Sequence, residues 1–178
     1  MIVVKQLLDH GERAFGSRGN LYQSEEADVL IAVYPPTKKR GWWTYATLEL
    51  HRTGACECLM YSYRFEREMV TLLARVANQV IENWKQERRR LTPGDAFFLG
   101  SSIQESSHLD FVITTPADFE EDGFDYYTNG VEVITFLMLH AIASSEASFA
   151  MQHGLDALED LFIRTGVDSL DFKRNPAI

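Results

Sequence analysis

Cysteine is almost missing from this sequence. Cys56 and Cys58 are the only two in 178 residues. Two thiols make no disulfide framework, so nothing in the sequence asks for an oxidising compartment. Long apolar runs are missing as well: no stretch approaches the ~20 residues a membrane span needs. The first residues, "MIVVKQLLDHGERAF", turn charged too soon for a secretory signal. The expectation is a cytoplasmic protein that engages no membrane.

Cations are scarce in one part of the chain. Between Leu91 and Phe172 there are fifteen carboxylates and a single cation, Arg164. From Lys38 to Arg90 the balance reverses, with eleven cations to six acids. The whole chain carries -9 at pH 7. An acidic half repels phosphate backbones and attracts basic proteins, speeding their encounter. A solubilising role for the same charge is the plainer alternative. The basic end "KQERRR", Lys85 to Arg90, is interrupted by Glu87 and matches the cations that commonly close a helix, so no nucleic-acid partner is expected.

What is present reads as one α+β domain over residues 1–178. The pattern predicts a short helix over Val4–Phe15, weakened by Gly11 and ended by Gly16 and Gly19. "DVLIAVYPP" predicts a buried strand closed by two prolines. "WWTYATLELHR" and "CECLMYSY" predict a hairpin around the turn "TGA". In the first of these strands Ala46, Leu48 and Leu50 fall on one face, and Tyr45, Thr47, Glu49 and His51 on the other. Met69, Leu72, Leu73, Val76, Val80 and Trp84 recur at spacings of three and four, predicting a long helix from near Phe65 to Arg88, Arg89 and Arg90. Phe97 to Leu99 is a short apolar piece, and "HLDFVITTP" predicts a strand. Asn129-Gly130 signals a tight hairpin in which both residues take positive φ, leading into a central strand over Val131–Leu139. Ser144-Ser145 predict a helix cap. The helix beyond breaks at Gly154 and runs to about Arg164, with Leu155, Leu158, Leu161 and Phe162 facing the core. Runs of strands with helices between and after give a mixed, largely antiparallel sheet packed with helices.

The most distinctive stretch is "TPADFEEDGFDYYTNG". Asp118, Glu120, Asp122 and Gly123 fit the first half of a calcium loop, but position twelve falls on Asn129, so no metal is expected. Its carboxylates, mixed with aromatics, suit contact with a basic protein. The candidate partner-binding residues are Asp118, Glu120, Glu121, Asp122, Asp125, Tyr126 and Tyr127. A solvated loop is the alternative. No catalytic set is visible. His10, His51, His108, His140 and His153 form no metal motif, and "LGSSI" lacks the order of a nucleophile elbow. Cys56 and Cys58 flank Glu57, whose charge raises a thiol pKa, so both read as core residues. No cofactor is implied. An unrecognised hydrolase would need a pocket in which a His meets Cys, Ser or Asp.

Several stretches together resemble the suppressor of fused family in its bacterial single-domain form. They are "DVLIAVYPP" with "WWTYATLEL", "RFEREMVTLLA", "LGSSI", "NGVEVITFLMLHAIASSEASFAMQHGLDAL" with Glu146 and Gly154, and "VDSLDFKRNP", spanning about Asp28 to Pro176. The resemblance implies a sheet domain without enzymatic activity. Eukaryotic members hold a transcription factor through a peptide that adds to the sheet. Bacterial members are regarded as immunity proteins beside secreted toxins, often nucleases. The expected function is therefore neutralisation of a toxin by occlusion, with capture of a partner peptide on a sheet edge as the alternative.

Overall fold

The structure, a computed structural model, describes residues 2–54, 56–117, 120 and 123–178. The chain forms two compact units, residues 1–91 with 116–138, and residues 92–115 with 139–178. Among the described residues eight strands and four helices give an α+β fold, as the sequence pattern predicts.

In the first unit the strands are β1 (Asn20–Gln23), β2 (Leu30–Tyr34), β3 (Trp43–Thr47), β4 (Cys56–Ser62), β7 (Tyr126–Thr128) and the start of β8 (Val133–Ile142). Their order is β1-β2-β3-β4-β8, with β7 also on β8. Neighbours are antiparallel except β4 and β8, which run parallel in the register Cys56↔Thr135 to Leu59↔Met138, so the sheet is mixed. β4 is buried on both faces along its whole length, which explains its continuous rather than alternating apolar character. β1 is short, polar and largely exposed, and its composition carries no strand signal. The predicted β3 stops at Thr47, because Leu50–Thr53 turns into one 3₁₀ turn.

Helix α1 covers Ile2–Phe15, and α2 covers Arg67–Glu87. Met69, Leu72, Leu73, Val76 and Val80 are buried as their spacing predicts, each of the large ones worth about 1.5–3 kcal/mol. The helix starts at Arg67, two residues after Phe65, because Glu66 is extended and donates its N–H to Tyr45 Oη at 2.9 Å. It stops at Glu87: Arg88 turns left-handed at φ 55°, its N–H on the Trp84 carbonyl at 2.9 Å and its guanidinium over the Trp84 ring. Gly11, which costs α1 helical propensity, is there for clearance. A Cβ at that position would lie 2.4 Å from Tyr34 Oη, and Tyr34 is fully buried.

In the second unit, β5 (Ala96–Phe98) pairs antiparallel with β6 (Phe111–Pro116), and β6 neighbours β8. Helix α3 (Ser144–His153) is followed by α4 (Leu155–Thr165). Ile113, Ile142, Ala147 and Leu158 form the core, with Leu155, Leu161 and Phe162 packed against it. The cap of α3 differs from expectation. Ala143 is the capping position, and Glu146 reaches back to accept its N–H at 2.8 Å, so the two serines lie within the first turn. Gly166 closes α4 in the left-handed conformation.

Candidate functional site: the β7–β8 hairpin and its anchors

The hairpin is built differently from the two-residue turn that Asn129-Gly130 predicts. Thr128 pairs with Val133, leaving four residues in the loop. Only Gly130 takes a positive φ, at 84°. Asn129 works through its side chain: Oδ1 accepts the N–H groups of Val131 and Glu132, both at 2.9 Å. The amide thus supplies the turn that a left-handed backbone would otherwise make.

Strand alternation then sorts the side chains. Tyr127 and Ile134 are cross-strand partners, and Ile134 is buried. Tyr126, Thr128, Val133 and Thr135 point the other way and are all exposed. Tyr126 is 48 % exposed, Val133 60 % and Val131, at the tip, 91 %. Asp125 and Glu132 beside them are exposed too. Among the described residues nothing covers this face.

The inner face is anchored by His10 of α1. Its ring stacks on Phe124 at 5.1 Å and Phe136 at 5.6 Å and meets the edge of Tyr127 at 5.4 Å. Burial pushes the His10 pKa down, and the Arg13 charge adds to that, against a hydrogen bond with the Phe124 backbone. His10 is thus favoured in its uncharged form and packs as an aromatic spacer among these rings.

The predicted site residues separate into three groups. Asp125, Tyr126 and Tyr127 come together on the hairpin, with Tyr127 turned half inward against His10. Glu120 does not present its charge to solvent. Its side chain is 3 % exposed and holds Arg40 through two hydrogen bonds of 2.5 and 3.0 Å, with the Tyr61 hydroxyl donating to the same carboxylate. Arg40 also donates to Thr44 Oγ1 at 3.0 Å and lies over the Phe15 ring at 4.6 Å. Burial works against the Arg40 charge, but the hydrogen bonds and charge of Glu120 outweigh it, and the net shift is upward. Burial, then the Glu120 charge, also pushes the Tyr61 hydroxyl up. Asp118, Glu121 and Asp122 lie outside the described residues. Sequence reasoning missed Val131 and Val133, whose position past the turn was readable as an outward alternation. It also missed Arg40, which no local pattern marks.

Glu57, His51, Cys56 and Cys58 are committed to other work. Glu57 is fully buried and accepts from Thr47 Oγ1, from the N–H groups of Leu50 and His51 at 3.2 and 3.1 Å, and from His51 Nδ1 at 2.6 Å. Those bonds satisfy the open end of the 3₁₀ turn. Burial, reinforced by Glu57, pushes the Cys56 thiol up to about 12 and Cys58 well above its ordinary value, the opposite of nucleophile activation. Among the described residues no group of three or more His, Cys, Asp and Glu side chains is placed to hold a metal ion, and no helix is long and apolar enough to cross a membrane.

In the second unit Glu146 and Arg174 form a buried two-bond pair at 2.7 and 2.8 Å. Glu146 further accepts the N–H of Ala143 and that of Ala177, each at 2.8 Å, and Arg174 donates to the Ala141 carbonyl at 3.2 Å. Burial raises the Glu146 pKa, but these donors outweigh it and the net shift is downward. The two sequence stretches around Glu146 and in "VDSLDFKRNP" thus meet in one network that ties the C-terminal tail to the start of α3.

This is the fold of suppressor of fused structures. A homologue from Neisseria gonorrhoeae FA 1090 superposes with a TM-score of 0.83 at 19% identity, covering 100% of this chain and 98% of that one. A chain of the Sufu-Fu complex gives 0.69 at 14% identity, covering 98% of this chain and 92% of that one. Drosophila Suppressor of Fused gives 0.69 at 13%, with this chain spanning 51% of its length. Among curated proteins none matches. The sequence pattern of the family Suppressor of fused protein (SUFU) matches residues 23–175. The chain belongs to that family.

Proposed function

We propose that this chain is a non-enzymatic protein-binding domain, acting in the cytoplasm as an immunity protein that occludes a cationic toxin domain. The observation that carries the reading is the outer face of the β7–β8 hairpin. It sets the exposed apolar surface of Tyr126, Val131 and Val133 beside the carboxylates of Asp125 and Glu132. A nuclease site is basic because it holds phosphate, so an acidic face steers to it and its apolar centre excludes water there. Asp118, Glu121 and Asp122 add negative charge to the same stretch of sequence. Glu120 acts indirectly, by holding Arg40.

The test starts from the reading frames beside this chain's gene and uses a secreted toxin domain encoded there; finding none counts against the immunity reading. Asp125→Lys/Glu132→Lys slows association about tenfold at low salt and less at high salt. Tyr126→Ala chiefly speeds dissociation. Unchanged kinetics in both variants remove the hairpin from the interface. Failure of the wild-type chain to bind or protect removes the immunity reading itself.

A second reading rests on β1. Among the described residues it pairs with β2 alone, which leaves a sheet edge for a partner peptide. A Sufu chain has been crystallised with Fu. Edge capture predicts binding that barely responds to salt and that Leu21→Pro abolishes.

A further inference from the structure

The outer face of the hairpin continues across the first unit beyond β8. In the register of β4 on β8, Cys56 lies opposite Thr135, and on the other side of β8 Thr135 lies opposite Tyr126. Paired residues point to the same side of a sheet, so Cys56, Thr135 and Tyr126 form one row across three strands, about 10 Å from end to end.

The C-terminal end of α2 sits at the Cys56 end of that row. The Arg90 side chain passes Gly54, where a Cβ would lie 4.0 Å from Arg90 Cγ, and the Arg90 charge acts on the Cys56 thiol. Arg88, Arg89 and Arg90 are all exposed, against Glu87 as the one carboxylate of the run 87–90. Arg88 lies over the Trp84 ring at 5.6 Å. Lys85 is answered by Glu82 at 2.9 Å, but among the described residues neither Arg88 nor Arg90 enters an ion pair.

The face therefore has three parts. A cationic end at Arg88 and Arg90 gives way to an apolar middle of Tyr126 and Val133, and that to an anionic end at Asp125 and Glu132. A partner carrying one sign of charge answers only one end. A second copy answers both. Turned half a revolution about an axis through the middle, it brings its anionic end over the first copy's cationic end, and symmetry supplies the reverse contact. Tyr126 and Val133 of both copies then meet at the centre, with the charges at the rim.

We infer that this face is the interface of a two-fold symmetric homodimer, in which Arg88 and Arg90 of one copy face Asp125 and Glu132 of the other across a centre of Tyr126 and Val133. The inference rests on the geometry of the hairpin and not on the toxin reading, and its test contains no toxin.

The experiment measures the mass of the purified full chain by sedimentation velocity, over a concentration series at low and at high salt. A reversible monomer–dimer equilibrium is expected, about tenfold or more weaker at high salt. Arg88→Glu/Arg90→Glu makes both ends anionic, and Asp125→Lys/Glu132→Lys makes both ends cationic, so each variant alone is expected to be monomeric. Mixed in equal amounts, the two are expected to form a heterodimer, which also shows that both are folded. Tyr126→Ala weakens the wild-type dimer about tenfold or more. A wild-type chain that stays monomeric at millimolar concentration overturns the inference. So does a charge-reversed variant that dimerises as well as wild type, or a mixture that stays monomeric. Assembly that grows past two copies overturns it too, since that marks a head-to-tail contact.

Discussion

Arg40 and Glu120, eighty positions apart, meet in a two-bond ion pair whose side chains are 12 % and 3 % exposed. The pair fixes Glu120 beside the start of β3, where Arg40 also meets Thr44. Removing one member leaves the other charge desolvated. Glu120→Ala is expected to destabilise the protein by about 3–5 kcal/mol in urea unfolding. A loss below about 1 kcal/mol would mean that the pair is solvated like an ordinary surface bridge.

Gly11 sets helix propensity against packing. Alanine there would gain up to about 1 kcal/mol in an isolated helix. Its Cβ would also fall 2.4 Å from the Tyr34 hydroxyl and 2.6 Å from Cζ of that ring. Overpacking of this kind costs about 1–3 kcal/mol, and Tyr34 is fully buried. Gly11→Ala is therefore expected to lower the thermal midpoint, and Gly11→Ala/Tyr34→Phe to recover part of the loss. A midpoint that rises in the single variant would refute the clearance argument.

His140 gives stability a dependence on pH. Burial, with a smaller contribution from the Arg174 charge, lowers its pKa from 6.5 to about 4, and Nε2 lies 3.0 Å from Thr115 Oγ1. The unfolded chain takes up a proton more readily than the folded one between those values. The contribution is complete above pH 6.5 and is lost as pH falls towards 4, by up to about 1.4 kcal/mol per pH unit. His140→Gln should flatten that slope in denaturation curves taken at pH 7 and pH 4.5. Equal slopes in wild type and variant would show that other groups carry the dependence.

Cys56 and Cys58 are free, buried and held in the thiol form. Labelling with a disulfide reagent at pH 8 should therefore track unfolding, with both thiols silent in native buffer and both reacting in denaturant. Rapid labelling of either thiol in the native protein would contradict their placement in β4.

Much of this architecture was legible. The stripe Met69, Leu72, Leu73, Val76 and Val80 gave α2, because helical spacing reports one buried face regardless of partner. The runs at β2 and β4 were readable for the complementary reason: strands covered on both faces leave no polar alternation. β1 was not, since "NLYQ" is held by pairing with β2 and not by burial. The acidic stretch shows the limit most clearly. Composition marked Glu120 as one of several similar carboxylates. Only the fold brings Arg40 and Tyr61 to it and turns a candidate contact into an anchor. Asp125 and Tyr126 kept their exposure because strand alternation, a local property, decides it.

The parallel pairing of β4 with β8 has a further consequence for how the chain is made. Cys56 through Leu59 must wait for Thr135 through Met138 to leave the ribosome before that seam can close. During synthesis the nascent hairpin of β3 and β4 therefore travels with one apolar edge bare, a condition that invites chaperone capture or premature association. Slowing translation between those two points should lengthen the exposure, and a chain truncated at Thr128 should be recovered chiefly from the insoluble fraction.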